Sequence, residues 1–105
     1  MVTRFTVEDV FNISGATWVL TGRVDSGMLR PGMRFEIDGE SVKVRSLQIN
    51  HENVNGASEG YPADISVRSR NPGKMEFLKG TQIKLQEGVL VRPRSILEAI
   101  MNIFR

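Results

Sequence analysis

Basic side chains in an alternating pattern are the residues of this chain that come nearest to a chemical site. They lie on the polar side of short alternating runs: Arg34, Lys43, Arg45, Arg68 and Arg70. Arginine and lysine in such an array can bind phosphate groups through charge and hydrogen bonds. The alternative is the solvated face of a half-buried sheet, where charged side chains are expected in any case. The pattern favours the solvated face and leaves phosphate binding as the second interpretation.

Groups that could perform acid–base, nucleophilic or metal chemistry are few and do not form a set. Glu8 and Asp9 are sequence neighbours, so in a strand they point to opposite faces and make no acid–base pair. His51 is the single histidine and lies in a polar stretch, and one ligand does not make a metal site. Trp18 could stack on a base, but its phase in an alternating run favours core packing. We therefore expect no catalytic residue, no metal and no cofactor, and hence no enzyme.

Length, charge and cysteine content narrow the class of protein. The chain has 105 residues, enough for one domain with its own core. Its net charge of +2 permits contact with a polyanion without requiring it. Cysteine is absent, which excludes disulfides and fits a reducing compartment. Neither a secretory signal nor an apolar run of membrane-spanning length is present, so we expect a soluble, cytoplasmic protein.

The elements that must position these residues are short β-strands separated by glycine and proline turns. Residues 17–24 and 33–37 alternate apolar and polar side chains, which indicates half-buried strands. Gly22 interrupts the apolar side of the first run, as glycine does at a barrel corner or where two backbones approach closely. Residues 63–67 alternate in the same way. Many short strands with such turns predict a small, mostly antiparallel β-barrel, an all-β fold.

A hairpin is predicted at Asp38-Gly39, the strongest two-residue turn signal in the chain. It would place three pairs of residues opposite one another: Met33 and Val44, Phe35 and Val42, and Arg34 and Lys43. The apolar pairs then share one face, so the register is self-consistent. After Lys43 the alternation changes phase near Arg45 and Ser46, which predicts a bulge or bend there.

Other segments are assigned from their local composition. Val10 and Phe11 are adjacent and both apolar, so one of them points outward unless a bulge intervenes. Residues 12–15 read as a loop and residues 71–73 (Asn-Pro-Gly) as a turn. Residues 77–80 read as a short helical turn that leads into a strand at 81–85.

The end of the chain differs in kind, and we divide the sequence into a β-barrel at residues 1–92 and an amphipathic helix at residues 93–105. Ser95 and Glu98 match a capping box. The apolar stripe of this helix consists of Ile96, Leu97, Ile100, Met101 and Phe104. Such a short helix is marginal in water, so it must dock. Packing on its own sheet is favoured, with a homodimer or partner contact as the alternative. The start methionine and the capped helix favour a complete small protein.

Residues 7–37, VEDVFNISGATWVLTGRVDSGMLRPGMRFEI, resemble the second domain of translational GTPases, most closely that of elongation factor Tu. The family pattern runs approximately E-D-V-F-x-I-x-G, then T-G-R-V-x-x-G, then G-x-x-V/F-x-I. Two later segments also match its spacing, Val54 to Val67 and Phe77 to Ile83. The resemblance covers about residues 5–86 and implies a closed antiparallel barrel of about six or seven strands. A P-loop, G-x-x-x-x-G-K-[ST], does not occur, so the resemblance concerns domain two without the GTPase domain and implies no bound nucleotide.

The resemblance also implies a site. In elongation factor Tu this domain helps to hold the aminoacylated 3′ end of transfer RNA. The matching positions here are Glu8, Asp9, Phe11 and Gly15, and Phe11 corresponds to the aromatic that lines the aminoacyl pocket. The chain departs from the parent pattern at three positions: Ala16 stands in place of an arginine, Thr17 in place of a glycine, and Asp64 in place of a small residue.

Two functions follow from these observations. The first is a non-catalytic binding module related to translation factors. It would contact RNA (transfer RNA or ribosomal RNA) or a translation component through residues 8–15 and the basic outer face. The second is a protein-interaction or assembly module that docks through residues 96–104 and has no RNA role. Salt dependence separates them, because phosphate binding weakens steeply with salt and a hydrophobic contact does not.

Overall fold

The structure is a computed structural model that describes residues 2–87. This part of the chain is mostly β, with one short helix. The strands are β1 (Thr3–Ser14), β2 (Thr17–Ser26), β3 (Met28–Leu29), β4 (Arg34–Ile37), β5 (Glu40–Lys43), β6 (Ser46–Ile49), β7 (Glu52–Asn53), β8 (Ala57–Ser58), β9 (Pro62–Arg68) and β10 (Gln82–Leu85), and the helix is α1 (Pro72–Phe77). The helix predicted at residues 93–105 lies outside the described residues.

One large antiparallel sheet organises the described chain. Its strand order is β10-β1-β2-β9-β6-β7, and two small pairs, β3–β8 and β4–β5, accompany it. The β4–β5 hairpin joins this sheet at both sides. Arg34 and Gln86 exchange backbone hydrogen bonds of 2.8 and 2.9 Å, which link β4 to the end of β10. The Arg45 N–H donates to the Ser66 carbonyl of β9 at 2.7 Å.

The hairpin predicted at Asp38-Gly39 is confirmed in its register. Phe35 faces Val42, and Arg34 faces Lys43. Both turn residues have positive φ, 46° at Asp38 and 81° at Gly39, as the tight turn of a twisted hairpin requires. The predicted change of phase is also present, because β5 ends at Lys43 and β6 begins at Ser46.

Gly22 lies where two backbones approach closely, as its place in the apolar alternation predicted. Val7 pairs with Gly22 and Asp9 with Thr21, so Glu8 is left over as a bulge. A Cβ atom added to Gly22 would lie 1.8 Å from the Thr6 carbonyl oxygen. No side chain larger than hydrogen fits there without moving the backbone of β1.

Two local predictions were wrong. Residues 12–15 were expected to form a loop, but β1 continues to Ser14, because residues 10–12 pair in register with residues 18–20 of β2. The helical turn expected at 77–80 is present as the end of α1 and the turn residues 78–80, but residues 71–73 were expected to form a turn of their own. Instead Asn71 is the N-cap of α1, accepting from the Lys74 N–H at 3.2 Å, and Pro72 opens the helix. Asn-Pro-Gly suits both structures, since proline fits the first helical position as well as it fits a turn.

The core lies between the inner face of the large sheet, the β4–β5 hairpin and α1. Its fully buried members include Phe5, Leu20, Leu29, Leu47, Ile65, Met75 and Leu85. Trp18 belongs to it, as predicted, and its indole Nε1–H donates to the Ser69 carbonyl at 3.3 Å. Within the described part of the chain, no helix has the length and apolar character needed to cross a bilayer.

Candidate functional site

The candidate site is the solvent side of four adjacent strands, β1, β2, β9 and β6, which we call the outer face. Residues directly opposite one another in antiparallel strands share a face, and the register gives two rows across the four strands. One row consists of Phe11, Val19, Ser66 and Ser46, and the next consists of Asp9, Thr21, Asp64 and Gln48. Thr17 and Arg68 form a third pair beyond the first row.

The bulge at Glu8 decides which side chains of β1 reach this face. Before the bulge, Phe5 and Val7 point into the core. After it the phase is reversed, so that Val10 packs against the core and Phe11 is turned outward, with 48% of its surface exposed. The expectation that one of Val10 and Phe11 points outward is therefore confirmed.

Residues 9–14 of β1 are accessible from the side as well as from the outer face. β10 pairs with β1 only along residues 3–6, and two further backbone hydrogen bonds join Val7 to Gly80 and Thr81. Beyond Glu8, the described chain places β2 on one side of β1 and no strand on the other. Ile13, near the end of this unpaired stretch, has 62% of its surface exposed. Phe11 and Ile13 thus form an apolar corner that a ligand can approach.

Charged groups surround this corner unevenly. Arg68 is exposed at the end of β9 beside Thr17. In the neighbouring row, Asp64 accepts a hydrogen bond from the Thr21 hydroxyl at 3.0 Å. Asp9 accepts from the Val10 N–H at 2.9 Å and lies 3.7 Å from the Lys79 ammonium. The two carboxylates are therefore engaged within the protein, whereas the guanidinium group of Arg68 has no hydrogen bond or ion pair among residues 2–87.

The structure brings some of the sequence-predicted residues together and separates others. Asp9, Phe11 and Arg68 share the outer face, and Arg45 adjoins it through its backbone contact with Ser66 of β9. Glu8 is exposed at the bulge. Gly15 lies in the turn between β1 and β2 with φ of 54°, and its carbonyl accepts from the Asn12 amide at 3.0 Å.

Arg34 and Lys43 lie elsewhere. They face each other on the β4–β5 hairpin, and Arg34 Nη1 donates to the Ser41 hydroxyl at 3.2 Å. Arg70 is exposed in the connection between β9 and α1. The basic residues therefore do not form one stripe. They divide into a group beside the outer face, Arg45 and Arg68, a pair on the hairpin, Arg34 and Lys43, and Arg70 by itself.

Sequence reasoning did not identify three residues on or beside the outer face as site residues: Ile13, Val19 and Lys79. Val19 could have been found, because it is the outward apolar residue in the alternation of residues 17–24. Ile13 was placed in a loop, and Lys79 reaches Asp9 from a segment 70 positions away in sequence, so no local signal predicts that contact.

The outer face has the chemistry of a binding surface. It combines an exposed aromatic ring, aliphatic side chains, hydroxyls and a peripheral guanidinium with two carboxylates, Asp9 and Asp64, that are engaged within the protein. Among residues 2–87, no three acidic or histidine side chains lie close enough together to hold a metal ion. His51, expected to be an exposed loop residue, is exposed in the turn between β6 and β7.

Comparison with known proteins places the sequence among translation factors. No protein-family model matches the chain. Elongation factor 1-alpha of Archaeoglobus fulgidus is 39% identical over 80 residues, which are 73% of this chain and 18% of that protein. The same factor of Methanocaldococcus jannaschii is 39% identical over 67 residues, 62% of this chain and 16% of that protein. The matched part of this chain thus spans about a sixth of the length of these relatives.

A solved structure shows the same fold. The crystal structure of translation elongation factor SelB from Methanococcus maripaludis in its apo form superposes with a TM-score of 0.66 at 22% sequence identity. The match covers 85% of this chain and 20% of that chain.

Proposed function

About 73% of this chain is homologous to one segment of elongation factor 1-alpha, and on that premise we propose that it is a non-catalytic module that binds RNA through its outer face. The RNA is single-stranded at the point of contact, as at the end of a transfer RNA or in a loop of ribosomal RNA. The ligand is proposed from the chemistry of the face and from the relationship to translation factors.

The observation that carries the proposal is that the ring of Phe11 is exposed beside Val19, on a face that Arg45 and Arg68 border. Bases that are not paired can stack on an aromatic ring, and this stacking tolerates different sequences. Arg68 and Arg45 border the same face, where guanidinium groups can contact phosphates. The unpaired side of residues 9–14 leaves room for a nucleotide strand to pass along β1.

Two observations support a non-catalytic role: the side chains of the outer face, and the small share of the related factor that this chain matches. The matched segment is 18% of the Archaeoglobus fulgidus factor. The polar groups of the outer face form pairs, Thr21 with Asp64 and Asp9 with Lys79, and we assign them to holding the strands and shaping the face.

We also propose that the sheet closes into the barrel that the sequence predicts. Two contacts support closure. The Arg34–Gln86 backbone pair joins β10 to β4, and the Arg45–Ser66 hydrogen bond joins the end of β5 to β9. The path β10-β4-β5-β9 would then complete the circuit begun by β10-β1-β2-β9. Closure would leave β1 covered along residues 3–7 and open along residues 9–14.

A titration with labelled RNA tests the proposal. The probes are transfer RNA with and without its amino acid and an unrelated duplex, each at low and moderate salt. Phe11→Ala removes the stacking ring, and Phe77→Ala is the matched control, since Phe77 has 76% of its surface exposed and lies outside the outer face. Stacking is worth about 1–3 kcal/mol per base, so Phe11→Ala should raise Kd about 5- to 150-fold. Phe77→Ala should leave Kd within about twofold.

The basic residues are tested in the same assay. Arg68→Ala should weaken binding and reduce its salt dependence, because one phosphate contact is lost. Arg34→Ala combined with Lys43→Ala should have the smaller effect, since this pair lies on the β4–β5 hairpin. Absence of binding to every probe, or equal Kd values for the Phe11 and Phe77 variants, would contradict the proposal.

A further inference from the structure

A groove with a volume of about 800 Å³ lies between β4 and β10. The two strands meet at a single backbone pair, Arg34 and Gln86, and form no longer ladder in the described chain. Beyond that pair, the groove is lined by the facing edges of the two strands. Its floor is apolar, formed by side chains that are otherwise buried: Phe35, Ile37, Leu78 and Ile83.

Phe77 marks the groove as an incomplete apolar surface. It is the last residue of α1 and lines the groove with 76% of its surface exposed, more than any other large apolar side chain of residues 2–87. Met75, two residues earlier in the same helix, is fully buried. An exposed ring continuous with an apolar floor is typical of a surface that another element covers.

We propose that this groove is a helix-binding groove and that its occupant is the apolar stripe of residues 95–105 of the same chain. An amphipathic helix with its apolar side in a groove is a common mode of peptide recognition. The stripe offers Ile96, Leu97, Ile100, Met101 and Phe104 to the floor and to Phe77. This inference does not depend on the proposed RNA-binding function, which uses the outer face.

The geometry of the connection fits docking within one chain. Glu87, the last described residue, itself lines the groove. Seven residues, 88–94, separate it from Ser95, and they can span up to about 25 Å when extended. Gly88, the first of them, suits a reversal of direction toward the groove. A helix of eleven residues is about 16 Å long, close to the length of about 13 Å of the four-residue strands that border the groove.

Charge is compatible with this occupant. The groove is lined by two bases, Arg34 and Lys84, and by three acids, Glu36, Asp38 and Glu87, of which Glu87 is already paired with Arg30 at 2.7 Å. Residues 88–105 carry three bases, Arg92, Arg94 and Arg105, and one acid, Glu98. Glu36 and Asp38 therefore remain for the bases of the segment, and pairs of opposite charge across a contact help to orient it.

Disulfide trapping in the full chain tests the proposal, and the absence of cysteine makes each introduced thiol unique. Phe77→Cys is combined in turn with Leu97→Cys, Ile100→Cys or Phe104→Cys, and each variant is oxidised at several protein concentrations. A disulfide forms only when the two Cα atoms come within about 7 Å. We expect at least one pair to form a disulfide within a single chain, in a yield that does not depend on concentration. As controls, Tyr61→Cys is combined with the same three cysteine substitutions. Tyr61 has 53% of its surface exposed and does not line the groove.

A labelling rate supplies the second measurement. With Phe77→Cys alone, we expect the thiol to react about tenfold more slowly than the thiol of Tyr61→Cys, although Phe77 is the more exposed side chain in residues 2–87. Ile100→Asp, which puts a charge in the stripe, should restore the fast rate at Phe77→Cys and leave Tyr61→Cys unchanged.

Three results would overturn the proposal. Disulfides that form only between chains would assign the groove to a second copy. Disulfide yields no higher than in the Tyr61→Cys controls would show that the apolar stripe of residues 95–105 does not dock in this groove. Equal labelling rates at the two thiols would show that the groove is open in the full chain.

Discussion

Gly22→Ala should be far more damaging than a glycine-to-alanine change of the same kind elsewhere in the protein. Gly22 lies opposite Val7 in the ladder between β1 and β2, and its missing side chain would point into the backbone of β1. The matched control is Gly56→Ala. Neither glycine has positive φ, so the two substitutions differ in what the new methyl group meets and not in backbone strain.

The magnitude follows from the two sets of distances. The new Cβ at Gly22 would lie 1.8 Å from the Thr6 oxygen, against 3.4 Å for an ordinary contact, so the backbones must separate by the difference of 1.6 Å. That is about a third of the spacing between neighbouring strands, and the ladder hydrogen bonds at this point cannot survive it. Overpacking costs about 1–3 kcal/mol, and each lost hydrogen bond costs about 1 kcal/mol more. We expect a loss of about 3–5 kcal/mol from the free energy of unfolding.

The control should cost little. At Gly56 the nearest atom to the new Cβ is the Sδ of Met28, at 3.2 Å. Met28 is 39% exposed and its thioether is flexible, so the side chain can move aside. Alanine also reduces the conformational freedom of the unfolded chain. We expect the free energy of unfolding of Gly56→Ala to lie within about 1 kcal/mol of the parent chain.

Urea unfolding followed by tryptophan fluorescence measures both variants. Trp18 is the single tryptophan, it is 4% exposed, and it lies on β2 together with Gly22. Far-ultraviolet circular dichroism should report the same midpoint if unfolding is two-state. A chain of this size has a total stability of about 5–15 kcal/mol, so the Gly22 variant should be largely destabilised or unfolded while the Gly56 variant folds. Free energies of unfolding that agree within about 1 kcal/mol for the two variants would refute the close approach assigned to Gly22.

Three further substitutions are measured in the same unfolding assay. Asn71→Ala removes the oxygen that accepts from the Lys74 N–H and should cost about 1 kcal/mol; no loss would contradict the N-cap assignment. Gly73→Ala should stabilise by about 0.5 kcal/mol, because the site is helical and its nearest neighbour would be 3.6 Å away. A net destabilisation there would refute the helical assignment of residues 72–77. Thr3→Val removes the hydroxyl that donates to the Met28 carbonyl at 3.0 Å and should cost about 1 kcal/mol, whereas an unchanged midpoint would count against that bond.

Features set by short-range patterns were predictable from the sequence. The Asp38-Gly39 hairpin and its register follow from a turn signal flanked by two alternating runs. The close approach at Gly22 follows from a glycine on the apolar side of a strand. The outward orientation of one of Val10 and Phe11 follows from their adjacency.

Features set by the arrangement of strands in space were not predictable in the same way. The accessible corner at Phe11 and Ile13 exists because β10 covers only the first part of β1, and no local pattern states how far a distant strand pairs. Arg45 reaches β9 near Arg68 because the chain changes phase between β5 and β6, which separates it from Lys43. The start of α1 was missed because Asn-Pro-Gly is a valid sequence for a turn and for a helix N-terminus.

The pairing of β1 with β10 has a consequence for how the protein folds. Thr3 pairs with Leu85 and Thr6 with Gln82, so the first strand of the described chain must wait for the last one. Bringing β1 and β10 together costs conformational entropy before any contact between them is formed. Folds dominated by pairings between such distant segments therefore form slowly. Until β10 pairs with β1, the edge of residues 3–6 is open and the ring of Phe5 lacks the strand that carries Ile83. Closure by β10 is therefore expected late in the folding of residues 2–87, and β1 keeps an unpaired edge along residues 3–6 until then.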